Sequence, residues 1–314
     1  MEKRELGQSG IKVAPIVFGG NVFGWTIDEK KSFEILDAFV AAGFDFIDTA
    51  DTYSYWVDGN TGGESETIIG NWLHSRKNRD KVVIATKVGS ENRSHGRDIS
   101  KAYILKTVEE SLKRLKTDYI DLYQTHWDDD KTPVEETLSA YEQLIREGKI
   151  RTIGASNLSA ERMKASLLAA DSGLPKYQTF QPHYNLYARE TYEKELMPVC
   201  VENNISSITY FSLESGFLTG KYRTASDFVK SVRGGGMAKY FNNRGFAILD
   251  ALDEIAKKHQ TQPATIALAW LLQRPSVAAP IVSATSVQQL ESIIKAPSVV
   301  LDAEDIARLD KSSS

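Results

Sequence analysis

The chain has 314 residues, 41% of them hydrophobic and 25% charged, an ordinary globular composition with room for one large α/β barrel or two smaller domains. Its net charge of −4, with both signs interspersed, excludes the basic footprint of a dedicated nucleic-acid binder. No apolar run reaches the ~18–20 residues of a membrane span, residues 1–6 lack the apolar stretch of a secretory signal, and the one cysteine, Cys200, cannot close an internal disulfide; together these imply a cytoplasmic protein.

Residues 4–6 and 11–13, either side of Ser9-Gly10, read as a β-hairpin placed to plug the bottom of a barrel. Apolar, β-branched runs then recur at 13–18, 44–47, 82–86, 120–125, 150–155, 179–182, 205–211 and 278–282. Most are near-continuous rather than alternating, the pattern of parallel strands covered on both faces. Amphipathic stretches at 30–42, 102–115, 134–147, 161–170 and 247–259 alternate with them. Thr132-Pro133 and Ser159 read as helix starts, and Gly43 and Gly148 as helix stops. The expectation is an α/β chain forming a (β/α)8 TIM barrel with an N-terminal β-hairpin, one domain over 1–314. The longest irregular stretch, 222–243, contains Gly234-Gly235-Gly236 and is long enough to be functional. Cys200 reads as a buried helix residue.

In such a barrel the reacting groups gather at the C-terminal ends of the strands. There the sequence puts Asp48, Lys87 and His126, with Tyr53 on the loop just beyond Asp48. Singly, each has an ordinary explanation: a helix cap, a rim charge, a core histidine, a packed ring. Their coincidence on three neighbouring units points to chemistry instead. A phenol near its reference pKa of ~10 is a poor acid for a reaction that also runs in reverse near neutrality. Lys87 is expected to lower it, with Asp48 holding the ammonium in place. His126 is positioned to donate a hydrogen bond to a substrate carbonyl oxygen. Hydride must come from a cofactor, since no side chain supplies one.

In order and context, Asp48, Tyr53, Lys87 and His126 resemble the Asp-Tyr-Lys-His tetrad of the aldo-keto reductase superfamily. The resemblance spans nearly the whole chain. It includes the hairpin residues Leu6-Gly7 and Ser9-Gly10-Ile11-Lys12-Val13, the stretch Phe46-Ile47-Asp48-Thr49-Ala50, and Gly63-Glu64-Ser65-Glu66 at a helix start. It continues through Ile153-Gly154-Ala155-Ser156-Asn157, Gln181-Pro182-His183-Tyr184-Asn185, Gly216-Phe217-Leu218-Thr219-Gly220-Lys221-Tyr222 and Ala267-Leu268-Ala269-Trp270-Leu271-Leu272. The bacterial enzymes of the family are similar, and so are the potassium-channel β subunits. The resemblance implies an NAD(P)H-dependent reductase acting on a small carbonyl compound, NADP(H) favoured and NAD(H) open. It further implies that Ser156, Asn157 and Gln181 hold the nicotinamide carboxamide and that Tyr210 stacks on the nicotinamide. Gly20, Asn21 and Asp48 approach the cofactor, Leu213, Lys221 and Arg233 attend its pyrophosphate, and Ser283, Thr285 and Gln289 complete its site. There is no G-x-G-x-x-G after a strand, so the nicotinamide site is not of the Rossmann kind.

Some positions depart from the pattern. Tyr210-Phe211-Ser212-Leu213 replaces Tyr-Ser-Pro-Leu, Ser283 stands where glycine is common, and Ile293 replaces an asparagine. No Lys or Arg stands where the family commonly grips a ribose 2′-phosphate. Trp25, Trp56 and Trp127 lie near strand ends as candidates for the substrate wall, with plain packing as the alternative. Two rival functions stand beside the reductase. One is a nicotinamide-binding regulatory or accessory subunit of the same fold, with little turnover. The other is a metal-dependent barrel enzyme, for which five histidines with only His126 and His183 near strand ends give no ligand set. The expectation is therefore no metal and no nucleic-acid or membrane partner. Neither the substrate nor the oligomeric state is legible.

Overall fold

A hairpin opens the structure, a computed structural model that describes residues 1–92 and 94–314. Its strands β1 (Arg4–Glu5) and β2 (Lys12–Val13) pair antiparallel across a turn in which Gly7 and Gly10 take positive φ. Eight more strands follow: β3 (Val17–Gly19), β4 (Phe46–Asp48), β5 (Val83–Val88), β6 (Ile120–Thr125), β7 (Ile150–Ser156), β8 (Thr179–Gln181), β9 (Ser206–Thr209) and β10 (Val277–Val282). They are parallel and hydrogen-bonded in chain order, and β10 pairs back on β3 to close a barrel. Helices α1 (Glu29–Ala41), α2 (Glu64–Arg76), α3 (Lys101–Leu115), α4 (Val134–Arg146), α5 (Ala160–Asp171) and α6 (Met197–Glu202) alternate with the strands. Next come α7 (Asn243–Lys258) and α8 (Pro263–Leu272), both before β10, then α9 (Val287–Ile293) and α10 (Ala303–Ser313). This is the (β/α)8 TIM barrel with an N-terminal hairpin.

The strands alternate between two cores, as a pleat of period two requires. Outward residues such as Ile47, Ile84, Tyr123 and Phe180 pack under the helices, while Phe46, Ala85, Leu122 and Ile208 fill the barrel. The hairpin closes one end of that interior. Leu6 and Val13 join the inner cluster, and the Arg4 guanidinium donates to the carbonyls of Val277 and Leu272 at 2.8 and 2.9 Å. The Gly7 N–H donates to Ser206 Oγ at 2.8 Å. Ser206 and Val277 are the first residues of their strands, so the plug sits at the N-terminal end and leaves the opposite mouth for chemistry.

The structure corrects several boundaries. The run at 13–18 divides: Val13 belongs to the hairpin, and the barrel strand begins at Val17. The run at 205–211 stops at Thr209, because Phe211, Glu214 and Ser215 all take positive φ. Helix α2 escaped the periodicity reading because its buried face carries Ser65, Glu66 and Gly70 among the apolar residues. Thr132 does not cap α4; it is held by Asp129, and Pro133 occupies the cap position without a side-chain bond. Ser159 does cap α5, accepting from the Arg162 N–H, and Gly43 and Gly148 stop their helices at φ 89° and 73°. Cys200 is buried in α6. The 222–243 stretch forms short 3-10 turns and ends where Asn242 caps α7.

Gly70 sets how closely α2 approaches the end of α3. A Cβ there would lie 2.0 Å from the Arg114 carbonyl oxygen and 2.7 Å from the Leu115 carbonyl carbon. Alanine gains ~1 kcal/mol in helix propensity, but an overpacked backbone contact costs typically ~1–3 kcal/mol. Gly70→Ala is expected to lower the thermal unfolding midpoint, and an unchanged or raised midpoint would contradict this packing account.

Candidate active site

The alternation that fills the barrel also builds the site. Two residues beyond each inner apolar position comes a polar one: Asp48 after Phe46, Lys87 after Ala85, Gln124 after Leu122. His126 continues the β6 series just past the strand end, and Ser156 and Gln181 pair across β7 and β8. Parallel register therefore delivers these side chains to one ring at the C-terminal mouth.

At its centre the Lys87 ammonium, fully buried, uses three donors. It binds Asp48 Oδ2 at 2.6 Å, the Thr49 carbonyl at 2.7 Å and the Tyr53 hydroxyl oxygen at 2.9 Å. Asp48, 1% exposed, accepts from Gln124 Nε2 at 3.0 Å and Gln181 Nε2 at 3.1 Å through its other oxygen. The Tyr53 and His126 rings are 6.0 Å apart, edge to face. So the predicted tetrad comes together.

Electrostatics correct one expectation. Burial raises the Tyr53 phenol above its ordinary pKa by more than Lys87 lowers it, and Asp48 adds to the rise. Tyr53 is therefore a neutral proton donor at rest. Burial would lower the Lys87 pKa, but Asp48 and Tyr53 outweigh it and the net direction is upward. Burial, with Lys87 and Arg97 adding repulsion, drives the His126 pKa well below its usual value. Its buried Nδ1 has no partner among the described residues. A neutral ring with the proton on Nε2 leaves Nδ1 a bare acceptor, so Nε2–H is the group free to donate.

Of the residues expected around a nicotinamide, Ser156, Asn157, Gln181 and Tyr210 are linked by hydrogen bonds, and the others stand elsewhere around the fold. Asn157, at φ 52°, donates through Nδ2 to the His126 carbonyl (2.9 Å) and to Ser156 Oγ (3.0 Å), and accepts from the Tyr210 hydroxyl at 3.1 Å. Ser156 Oγ donates to the Gln181 carbonyl at 2.9 Å. Ser283 Oγ lies 2.7 Å from both the Gly19 carbonyl and Asn21 Oδ1, tying β10 to the loop of Gly20 and Asn21. Thr285 and Gln289 bond to each other. Leu213 packs against the outer core, and Lys221 Nζ stands 4.9 Å over the Tyr222 ring. The Arg233 guanidinium lies 5.1 Å from the Trp25 ring centroid. Among the described residues neither Lys221 nor Arg233 has a carboxylate partner, although burial lowers the Arg233 pKa. Two uncompensated cations suit the diphosphate of a dinucleotide, and the amide cluster with Tyr210 suits its carboxamide.

The tryptophans stand at the same mouth. Trp25 and Trp56 meet at 5.5 Å, Trp56 lies 6.1 Å from Tyr53, and Trp127 follows His126 under Arg97. Reading the sequence missed Gln124 and Arg97, as well as the pairing of His183 Nε2 with Glu214 Oε2 at 2.7 Å. Glu214 also accepts from Asn185 and Tyr240; these bonds hold it below its usual range although burial opposes them. The His183 ring stacks on Tyr210 at 5.3 Å. The period-two step from Leu122 would have found Gln124; no local signal marks the other two. Among the described residues, no group of three or more His, Cys, Asp or Glu assembles as a metal site, and no helix is long and apolar enough to cross a membrane.

Comparison with known proteins agrees with this geometry. The model of the aldo/keto reductase family matches residues 15–314. Aldo-keto reductase YhdN of Bacillus subtilis is 34% identical over 97% of this chain and 91% of its own length. Protein tas of Escherichia coli is 31% identical over 99% of this chain and 97% of its own. Norsolorinic acid reductase of Aspergillus flavus is 29% identical over 96% of this chain and 78% of its own.

Proposed function

The chain belongs to the aldo/keto reductase family, and from that premise we propose that it reversibly reduces an aldehyde or ketone to the alcohol, with NADP(H) favoured over NAD(H). The observation that carries this reading is Tyr53, its hydroxyl 2.9 Å from a buried ammonium and its ring edge-on to a neutral His126. When bound, the nicotinamide supplies hydride to the carbonyl carbon. His126 Nε2–H donates to the carbonyl oxygen and orients it. Tyr53 gives that oxygen its proton as the alkoxide forms. The phenolate left behind accepts a hydrogen bond from Lys87, so the ammonium acts where charge appears rather than by ionising the resting phenol. Asp48 fixes the ammonium. Ser156, Asn157 and Gln181 hold the carboxamide, Tyr210 covers the nicotinamide, and Lys221 and Arg233 take the diphosphate. The cofactor also meets Gly20, Asn21, Leu213, Ser283, Thr285 and Gln289, while Trp25, Trp56 and Trp127 wall the substrate. The chain acts as one barrel domain. A cytoplasmic setting belongs to the same reading.

The two shifted groups fix the pH dependence. A lowered His126 pKa keeps the ring neutral below pH ~6.5, and a raised Tyr53 pKa keeps the phenol protonated above pH ~10. With NADPH and an aldehyde panel, kcat/KM for reduction is expected to be flat from about pH 6.5 to 10 and to fall only beyond it. Alcohol oxidation, which needs the phenolate as base, should rise toward alkaline pH. Nucleotide binding without turnover on any carbonyl would favour the regulatory-subunit reading instead. The same titration with NADH ranks the cofactors.

A further inference from the structure

Beyond the catalytic groups, the mouth of the barrel carries a cation that this chemistry does not use. Arg97, on the loop between β5 and α3, lays its guanidinium 4.3 Å from the centroid of Trp127, the residue directly after His126. The side chain is exposed and has no ion pair among the described residues. Nearby acids are committed elsewhere. Asp128 pairs with Arg162 at 2.6 Å, Asp129 takes Thr132 and the Ile99 N–H, and Asp98 accepts from the Ser100 N–H. Arg97 is close enough to His126 for its charge to be felt at the imidazole.

A guanidinium seated over an indole, with no ion pair among the described residues, leaves N–H donors to offer, and its planar fork matches a carboxylate. We propose that the pocket takes carbonyl compounds carrying a carboxylate distal to the reacting C=O, with Arg97 on Trp127 binding that carboxylate while His126 and Tyr53 address the carbonyl. This rests on the reductase reading and names its substrate class: aldehyde acids. The carboxylate is a handle and does not react. The carbonyl carbon would gain the hydride that a bound reduced nicotinamide supplies, and its oxygen would gain the Tyr53 proton, giving the alcohol.

The test compares 4-carboxybenzaldehyde with its neutral methyl ester, methyl 4-formylbenzoate, using NADPH with wild type, Arg97→Gln and Arg97→Lys. A charge-assisted hydrogen bond predicts that the wild type favours the acid by about tenfold or more in kcat/KM, expressed chiefly in KM. Arg97→Gln should bring the acid-to-ester ratio close to one, and Arg97→Lys should restore part of it. Because each variant serves as its own control, loss of overall activity does not blur the ratio. Equal handling of acid and ester by an active wild type would overturn the carboxylate assignment alone. So would a preference that survives Arg97→Gln. Failure to oxidise NADPH with either aldehyde would overturn the reductase reading itself.

Discussion

Tyr53→Phe is expected to lower kcat by about 10²–10⁴, the usual contribution of a positioned general acid, while nucleotide affinity stays within about threefold of wild type. The separation follows from the hydrogen bonds. Tyr53 bonds Lys87 through its hydroxyl, whereas the groups proposed to hold the nicotinamide are locked by their own network: Ser156 to Gln181, Asn157 to Ser156, Tyr210 to Asn157. Removing one oxygen leaves that network intact. The Lys87 ammonium keeps two of its acceptors, Asp48 and the Thr49 carbonyl, so the fold should survive. Residual turnover would come from His126 and from proximity alone. The checks are single-turnover NADPH oxidation and fluorescence titration on the same preparation. Turnover near wild type would remove Tyr53 from the mechanism; loss of nucleotide binding would show that it holds the cofactor site as well.

Asp48, Lys87 and His126 were legible because each lies at the end of a strand whose apolar run is plain in the sequence, and Tyr53 because it follows Asp48 closely on the next loop. The same logic stopped short at Gln124. It sits inside the run 120–125, where a polar residue reads as an interruption, yet the register that pairs Lys87 with Gln124 carries it into the ring around Asp48. Arg97 and Glu214 were illegible for a different reason. Both lie on loops, where no periodicity relates sequence distance to space, and their partners Trp127 and His183 come from other units. The sign of the Tyr53 shift was also out of reach. A neighbouring ammonium can be guessed from the motif, but the extent of burial that outweighs it exists only in the folded barrel. What the sequence encodes locally is the inner face of each strand; what it encodes through closure is how dry the centre becomes.

That dryness makes Lys87 the residue whose loss should cost the most stability. Lys87 and Asp48 are 0% and 1% exposed and 2.6 Å apart. Lys87→Met removes the cation and leaves the Asp48 carboxylate buried, with only the amide donors of Gln124 and Gln181. Stranding one member of a buried pair typically costs about 3–5 kcal/mol, far more than the pair adds over an apolar substitute. The thermal midpoint should therefore fall sharply and activity should vanish. Asp48→Asn combined with Lys87→Met removes both charges, so the double variant should be more stable than Lys87→Met alone while remaining inactive. The pH dependence has a definite sign. Because the folded-state Lys87 pKa is raised, its share of stability is complete below the unfolded value of ~10.4 and is lost as pH climbs through the folded value. Wild type and Lys87→Met should thus differ most around neutral pH and converge in strong alkali. If the single and double variants unfolded at the same temperature, the ammonium's worth would lie in its bonds to Thr49 and Tyr53 rather than in compensating Asp48. Recovered stability without recovered turnover would separate its two tasks: neutralising a carboxylate inside the barrel, and receiving the phenolate when Tyr53 gives up its proton.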